Sequence, residues 1–125
     1  MITGIHHVSM KCNNPEEYEK AVQFYCNVLG LPVYRQWPEG ILIDAGSTKI
    51  EIFNNGEGSR IKGAVRHFAF ACDDVDSCIR KIKEAGYDVF IEPKNIEIPS
   101  DPPLPARIAF CTGPLGEEIE LFHEK

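Results

Sequence analysis

The sequence predicts an α+β fold built from two copies of one β-α-β-β-β module. The chain has 125 residues, a length that suits one compact domain. Two repeats support the prediction. HVSMKC at 7–12 matches HFAFAC at 67–72, and KIEIF at 49–53 shares I-E-[IL]-F with EIELF at 118–122. Because the first and last strands of a module both recur, we expect the chain to be internally duplicated.

The elements between these strands also occur in pairs. A helix is expected at 15–30 and again at 74–86, since apolar residues recur there at spacings of three and four and a Gly ends each pattern. A polar, Gly-rich stretch at 54–63 marks the boundary, so module one covers about 1–60 and module two about 63–125. The remaining predicted strands are 31–37, 41–46, 87–93 and 106–111.

One segment has no counterpart in the other half. Residues 94–105, KNIEIPSDPPLP, are rich in proline. We interpret them as a loop or lid over an open cleft, with a plain surface connection as the alternative.

Composition narrows the class of protein. The net charge of −6 and the pI near 5.2 disfavour nucleic acids and anionic membranes as partners. We find neither a signal-peptide pattern nor about 18 consecutive apolar residues. The five cysteines are odd in number and form no C-x-x-C pair, which argues against a disulfide framework and a thiolate zinc site. We therefore expect a soluble, cytoplasmic protein with neither a nucleic-acid nor a membrane partner.

Four residues are candidate metal ligands: His7, Glu51, His67 and Glu120. Each His opens an equivalent strand, and each Glu lies between aliphatic residues in an equivalent strand. A carboxylate held in a sheet without a partner costs several kcal/mol, so it protonates, pairs or binds a cation. Singly, each residue could be a hydrogen-bonded His or a solvated Glu. At four matched positions they favour a divalent metal with open coordination positions: Zn²⁺, Ni²⁺, Co²⁺, Mn²⁺ or Fe²⁺.

The other two histidines are expected at the surface. His6 is adjacent to His7 and should face the opposite side of the strand. His123 lies near the end of the sequence and has no partner in the first half.

These motifs resemble the vicinal oxygen chelate superfamily and, within it, the small bacterial glyoxalase I (lactoylglutathione lyase) group. The resemblance implies two βαβββ modules forming an open, cup-shaped mixed sheet around a metal, usually completed in a homodimer. It spans most of the chain and rests on I-H-H-V at 5–8, F-Y-C-N-V-L-G-L at 24–31, I-E-I-F-N-N at 50–55, R-H-F-A-F at 66–70 and G-P-L-G-E-E-I-E-L-F at 113–122.

The same resemblance implies roles for individual residues. Glu51 stands where glyoxalase I has a carboxylate ligand that the ring-cleaving dioxygenases lack and that epimerases commonly replace with Gln. Lys11 and Asn55 stand at positions that contact the thiol conjugate, although relatives have Arg where this chain has Lys11. Gly113 stands where many relatives have Asp.

The implied activity is that of a lyase or isomerase that depends on a divalent metal, with Ni, Co or Zn expected. Its substrate would be the hemithioacetal of a 2-oxoaldehyde and a small thiol. The reaction would pass through an enediolate, with Glu120, or alternatively Glu51, moving the proton. The alternatives on this fold are an epimerase, a ring-cleaving dioxygenase and a small-molecule-binding protein without catalysis.

Overall fold

The computed structural model describes residues 1–58 and 60–125. It divides into two compact units, Met1–Arg60 and Ile61–Lys125. Each unit contains one four-stranded mixed sheet and one α-helix in the order β-α-β-β-β.

The first unit contains β1 (His7–Lys11), α1 (Pro15–Gln23), β2 (Val33–Trp37), β3 (Gly40–Asp44) and β4 (Lys49–Phe53). Its strands lie in the order β1-β4-β3-β2. The central strand β4 runs parallel to the edge strand β1. The other central strand, β3, is antiparallel to both β4 and the edge strand β2.

Local chemistry sets the start of α1. The side chain of Asn14 accepts a hydrogen bond from the backbone N–H of Glu17, and Pro15 occupies the first turn. A π-helical turn, Phe24–Val28, extends α1, and Gly30 ends it with a φ of 74°. Phe24 and Tyr25 in this turn are fully buried. The predicted helix at 15–30 therefore consists of two parts.

The second unit contains β5 (Phe68–Ala71), α2 (Val75–Glu84), β6 (Val89–Ile98), β7 (Leu104–Thr112) and β8 (Glu118–Glu124). Its strands lie in the order β5-β8-β7-β6, and β5 is parallel to β8. Asp74 caps α2 by accepting from the backbone N–H of Ser77. The predicted α+β fold of two βαβββ modules is confirmed.

The interpretation of residues 94–105 as a loop or lid is wrong. Residues 94–98 continue β6, residues 104 and 105 begin β7, and Ile98 pairs with Leu104. Pro99, Pro102 and Pro103 lie in the turn between the two strands, and Pro105 is the second residue of β7.

Within the two described ranges, no helix combines the length and the apolar character needed to span a bilayer.

Candidate metal centre

The first candidate pair lies on one face of the sheet of unit one. His7 shares its face of β1 with Ser9, because strand side chains alternate. Ser9 is the register partner of Glu51 on β4, so the Glu51 side chain lies on that same face. His7 Nε2 is 3.6 Å from Glu51 Oε1. That distance brings the two groups together but is too long for a hydrogen bond.

The second pair has the equivalent position in unit two. His67 directly precedes β5, and Glu120 on β8 is the register partner of Ala69. His67 Nε2 lies 3.1 Å from Glu120 Oε2, within hydrogen-bonding distance. Ala69 and Ala71 have the small side chains on this face of β5.

The I-E-[IL] pattern explains why these carboxylates are held in place. Ile50 and Ile52 flank Glu51 and are buried on the opposite face, and Ile119 and Leu121 do the same around Glu120. Helix α1 contacts β4 and helix α2 contacts β8, so burial of the aliphatic face directs each carboxylate to the other face of its sheet. Glu120 is itself only 9% exposed.

Two aromatic rings lie on one side of the second pair, and the sequence analysis did not predict them. Phe110 on β7 is the register partner of Glu120, and its ring lies edge-on to His67 with centroids 5.0 Å apart. Phe90 lies 5.6 Å from Phe110 and is 44% exposed. The signal that could have predicted Phe110 is the strand register, because it places the third strand of the module beside the glutamate.

The two predicted substrate-binding residues differ in their surroundings. Lys11 lies on the His7 face of β1, and its ammonium is 5.8 Å from the centroid of the Phe53 ring. Its side chain also packs against Gly56, where an added Cβ would lie 2.8 Å from Lys11 Cδ. Asn55 follows β4 by two residues and is exposed.

The two remaining histidines depart from expectation. His6 is exposed, but it precedes β1, and its ring contacts His7 instead of facing away. His123 lies within β8, is half-buried, and its Nδ1 is 2.9 Å from the carbonyl oxygen of Cys72. It lines a surface pocket together with Ala71 and Phe122.

Charge near the second pair is partly neutralised. The ammonium of Lys62 donates to Glu118 at 2.6 Å and holds the pKa of that carboxyl below its ordinary value.

On the buried face of the sheet, burial raises the pKa of the Cys111 thiol to about 12. Cys111 is therefore a small core residue and not a thiolate ligand.

The chemistry of the donors suits a divalent ion. Each unit supplies one imidazole nitrogen and one carboxylate oxygen on the same face, and these are ligands of zinc, nickel and cobalt. Among residues 1–58 and 60–125, no three His, Cys, Asp or Glu side chains form one metal-binding group. Each unit thus contains half of the predicted ligand set.

Comparison with known proteins identifies the family. The model of the Glyoxalase/Bleomycin resistance protein/Dioxygenase superfamily matches residues 4–121, and the chain therefore belongs to that superfamily. A comparison with curated proteins finds no match.

Solved structures share the fold at low identity. A glyoxalase family protein from Enterococcus faecalis has a TM-score of 0.72 at 23% identity, with 95% of this chain and 96% of that chain covered. Lactoylglutathione lyase from Agrobacterium tumefaciens has a TM-score of 0.70 at 17% identity, with coverages of 98% and 95%. TnmS3, an antibiotic binding protein from Streptomyces sp. CB03234, has a TM-score of 0.72 at 22% identity, with coverages of 99% and 98%.

Proposed function

We propose that the chain is a lactoylglutathione lyase-type metalloenzyme, an isomerase of the hemithioacetal formed by a 2-oxoaldehyde and a small thiol. In this proposal His7, Glu51, His67 and Glu120 together hold one divalent ion, with nickel, cobalt or zinc expected. The observation that carries the proposal is the recurrence of one His–Glu pair, on the same face of the sheet, in both units.

A bound ion would supply Lewis-acid stabilisation of negative charge on two neighbouring substrate oxygens. The chain's own contribution is to move a proton between adjacent carbons. Glu120 suits this role because its carboxylate is largely shielded from water and lies beside the apolar Phe110 ring. Glu51 is the symmetric alternative, since its position in unit one is equivalent.

The substrate contacts are assigned to Lys11 and Asn55. The Lys11 ammonium is a point charge suited to a carboxylate, and its packing against Gly56 limits the directions in which it can reach. Asn55 is exposed and can both donate and accept hydrogen bonds. A thiol that carries a carboxylate is therefore favoured over a neutral one.

The experiment compares the native chain with Glu51→Gln, Glu120→Gln and the control Glu124→Gln, which alters an exposed carboxylate on the same strand as Glu120. Metal content and hemithioacetal isomerisation are measured for each. We expect Glu120→Gln to lower the rate by about 100-fold or more and Glu124→Gln to leave it unchanged.

Two outcomes would count against parts of this proposal. A native chain that binds no metal and gains no activity with Ni²⁺, Co²⁺ or Zn²⁺ would contradict the metalloenzyme. Equal rates in Glu120→Gln and Glu124→Gln would contradict the role of Glu120 in moving the proton, and the metal content of Glu120→Gln tests its role as a ligand separately.

A second candidate is a binding protein without catalysis. The half-exposed Phe90 beside Phe110 favours it, because exposed aromatic rings in a sheet face suit apolar ligands. TnmS3, whose fold is similar, is an antibiotic binding protein. This candidate predicts that Ni²⁺ leaves the Tm unchanged, while an aromatic probe such as 8-anilinonaphthalene-1-sulfonate raises it.

We also propose that the protein acts as a homodimer. Apolar side chains at the start of each unit are strongly exposed in the single chain, which favours their burial against a second copy. The residues concerned are Met1, Ile2, Ile5, Ile61 and Val65. Light scattering after size-exclusion chromatography should give about 28 kDa, twice the 14.0 kDa of the chain, and a mass of one chain would contradict the dimer.

A further inference from the structure

The two candidate ligand histidines have different second partners. Nδ1 of His7 lies 2.9 Å from Nδ1 of His6, and the two rings meet edge to face with centroids 5.2 Å apart. The ring of His67 instead packs against Phe110, which offers no hydrogen-bonding atom. The duplication therefore repeats the candidate ligand histidine and its paired glutamate. It does not repeat the residue that contacts the other part of the histidine ring.

The contact between His6 and His7 limits where protons can lie. Two nitrogens at 2.9 Å share one proton, so one of them donates and the other accepts. On the opposite side of the His7 ring, Nε2 is 3.6 Å from Glu51, too far to donate a hydrogen bond to it. The His6–His7 hydrogen bond can form with either ring as donor, but only a proton on Nδ1 of His7 leaves its Nε2 lone pair free.

We propose that His6 is a positioning residue, which accepts a hydrogen bond from Nδ1 of His7 and so keeps the Nε2 lone pair of His7 ready to bind a divalent ion. A ligand histidine is generally held in this way, by a partner on its other ring nitrogen. Such a partner fixes both the tautomer and the ring orientation. The metal part of the inference rests on the proposed function, while the tautomer part does not.

The second half of the site behaves differently in the metal-free protein. Nε2 of His67 is 3.1 Å from Glu120 and donates to it. The expected neutral tautomers are thus opposite, with the proton on Nδ1 of His7 and on Nε2 of His67. His67 serves as an internal reference for the assignment.

The test uses the full chain, first without metal, in long-range ¹H–¹⁵N NMR spectra of the histidine rings. His6→Phe keeps a ring at position 6 but removes the acceptor, and His6→Gln supplies an amide oxygen that can accept. His123→Gln is the control, because His123 pairs with Cys72 in the other unit. We expect the Nδ1–H form of His7 in the native chain, His6→Gln and His123→Gln, and a shift to the Nε2–H form in His6→Phe.

Ni²⁺ titration of the same four proteins gives the second measurement. We expect His6→Phe to bind Ni²⁺ about 10-fold more weakly than the native chain, and His6→Gln and His123→Gln to bind like the native chain. The inference is overturned if His7 of the native chain carries its proton on Nε2, or if His6→Phe matches the native chain in both tautomer and affinity. A native chain that binds no metal contradicts the proposed function instead, and the tautomers still decide the role of His6.

Discussion

Glu51 and Glu120 occupy equivalent strands, but their neighbours differ. The register partner of Glu51 on the adjacent antiparallel strand is Leu42, whereas that of Glu120 is Phe110. The His–Glu distance is 3.6 Å in the first unit and 3.1 Å in the second. The repeat in the sequence therefore predicts where each candidate ligand lies but not what surrounds it.

Individual residues explain which parts of the site were predictable. The glutamates were identified because a charged residue inside an aliphatic strand is unusual. Phe110 was missed because an aromatic residue in a strand is ordinarily part of the core. The contact of His6 with His7 was not predicted, because side chains alternate between faces only within a strand and His6 precedes β1.

The resemblance to the glyoxalase I group implies an Asp at the position of Gly113, and the structure shows what occupies that space in this chain. The Glu117 carboxylate fills the space that a side chain at position 113 would need, and it accepts a hydrogen bond from the backbone N–H of Leu115 at 2.7 Å. Glu117 thus supplies a carboxylate to the turn that precedes β8. An added side chain at position 113 must displace it.

A double-mutant cycle tests whether a side chain at position 113 competes with Glu117 for this space. Gly113→Asp alone should lower the free energy of unfolding by about 1–3 kcal/mol, because it crowds Glu117 and adds a like charge. Glu117→Ala in the same chain should recover part of that loss, since the new Asp can accept from the turn. Urea unfolding measures both, and strictly additive effects would contradict the shared space.

The pair of Arg107 on β7 and Asp76 on α2 predicts a pH dependence of stability. Two guanidinium nitrogens of Arg107 donate to Asp76 at 2.5 and 2.7 Å, and these hydrogen bonds hold the pKa of Asp76 below its ordinary value. A lowered pKa in the folded state stabilises the protein above the pKa of the unfolded state, about 3.9. This stabilisation is lost as the pH falls through the folded-state pKa.

Urea midpoints between pH 7 and pH 2.5 test the pair. Asp76→Asn should flatten the fall in the midpoint below about pH 4, and Arg107→Gln should flatten it similarly. The double variant should resemble either single one, because both remove the same interaction. An unchanged profile in Asp76→Asn would contradict this assignment.

At the scale of elements, the hairpin of β6 and β7 shows what the sequence concealed. Asn95-Ile96-Glu97-Ile98 alternates polar and apolar residues, which is the strand signal. The prolines that follow favour a loop over the whole segment. Those prolines are confined to the turn and the first residues of β7, so the strand pairing continues beside them.

Helix α2 should depend on one buried stripe. Val75, Ile79 and Ile82 are buried, and Ile82 is fully so. Ile82→Ala should therefore lower the free energy of unfolding by about 2–5 kcal/mol, through lost burial and the remaining cavity. Lys81→Ala, at an exposed position of the same helix, is the control and should change it by less than about 0.5 kcal/mol. Equal effects of the two substitutions would contradict the packing of α2.

At the scale of the whole molecule, duplication explains why so much of the fold was predictable. When equivalent segments of the two halves match, each supports the assignment of the other to the same helix or strand. The order β-α-β-β-β can therefore be predicted from sequence alone. Activity is less predictable, because one fold of this superfamily supports both enzymes and binding proteins. In the proposed function it depends on a few side chains on one face of each sheet.

The central claim is that the two His–Glu pairs bind a single ion together. Isothermal titration of the metal-free chain with Ni²⁺, checked by elemental analysis, measures the number of ions per chain. The account predicts one ion per chain, whose affinity falls by about 100-fold or more in His7→Ala and equally in His67→Ala. Two ions per chain, or one retained at native affinity in either variant, would show that each pair acts alone and would contradict the account.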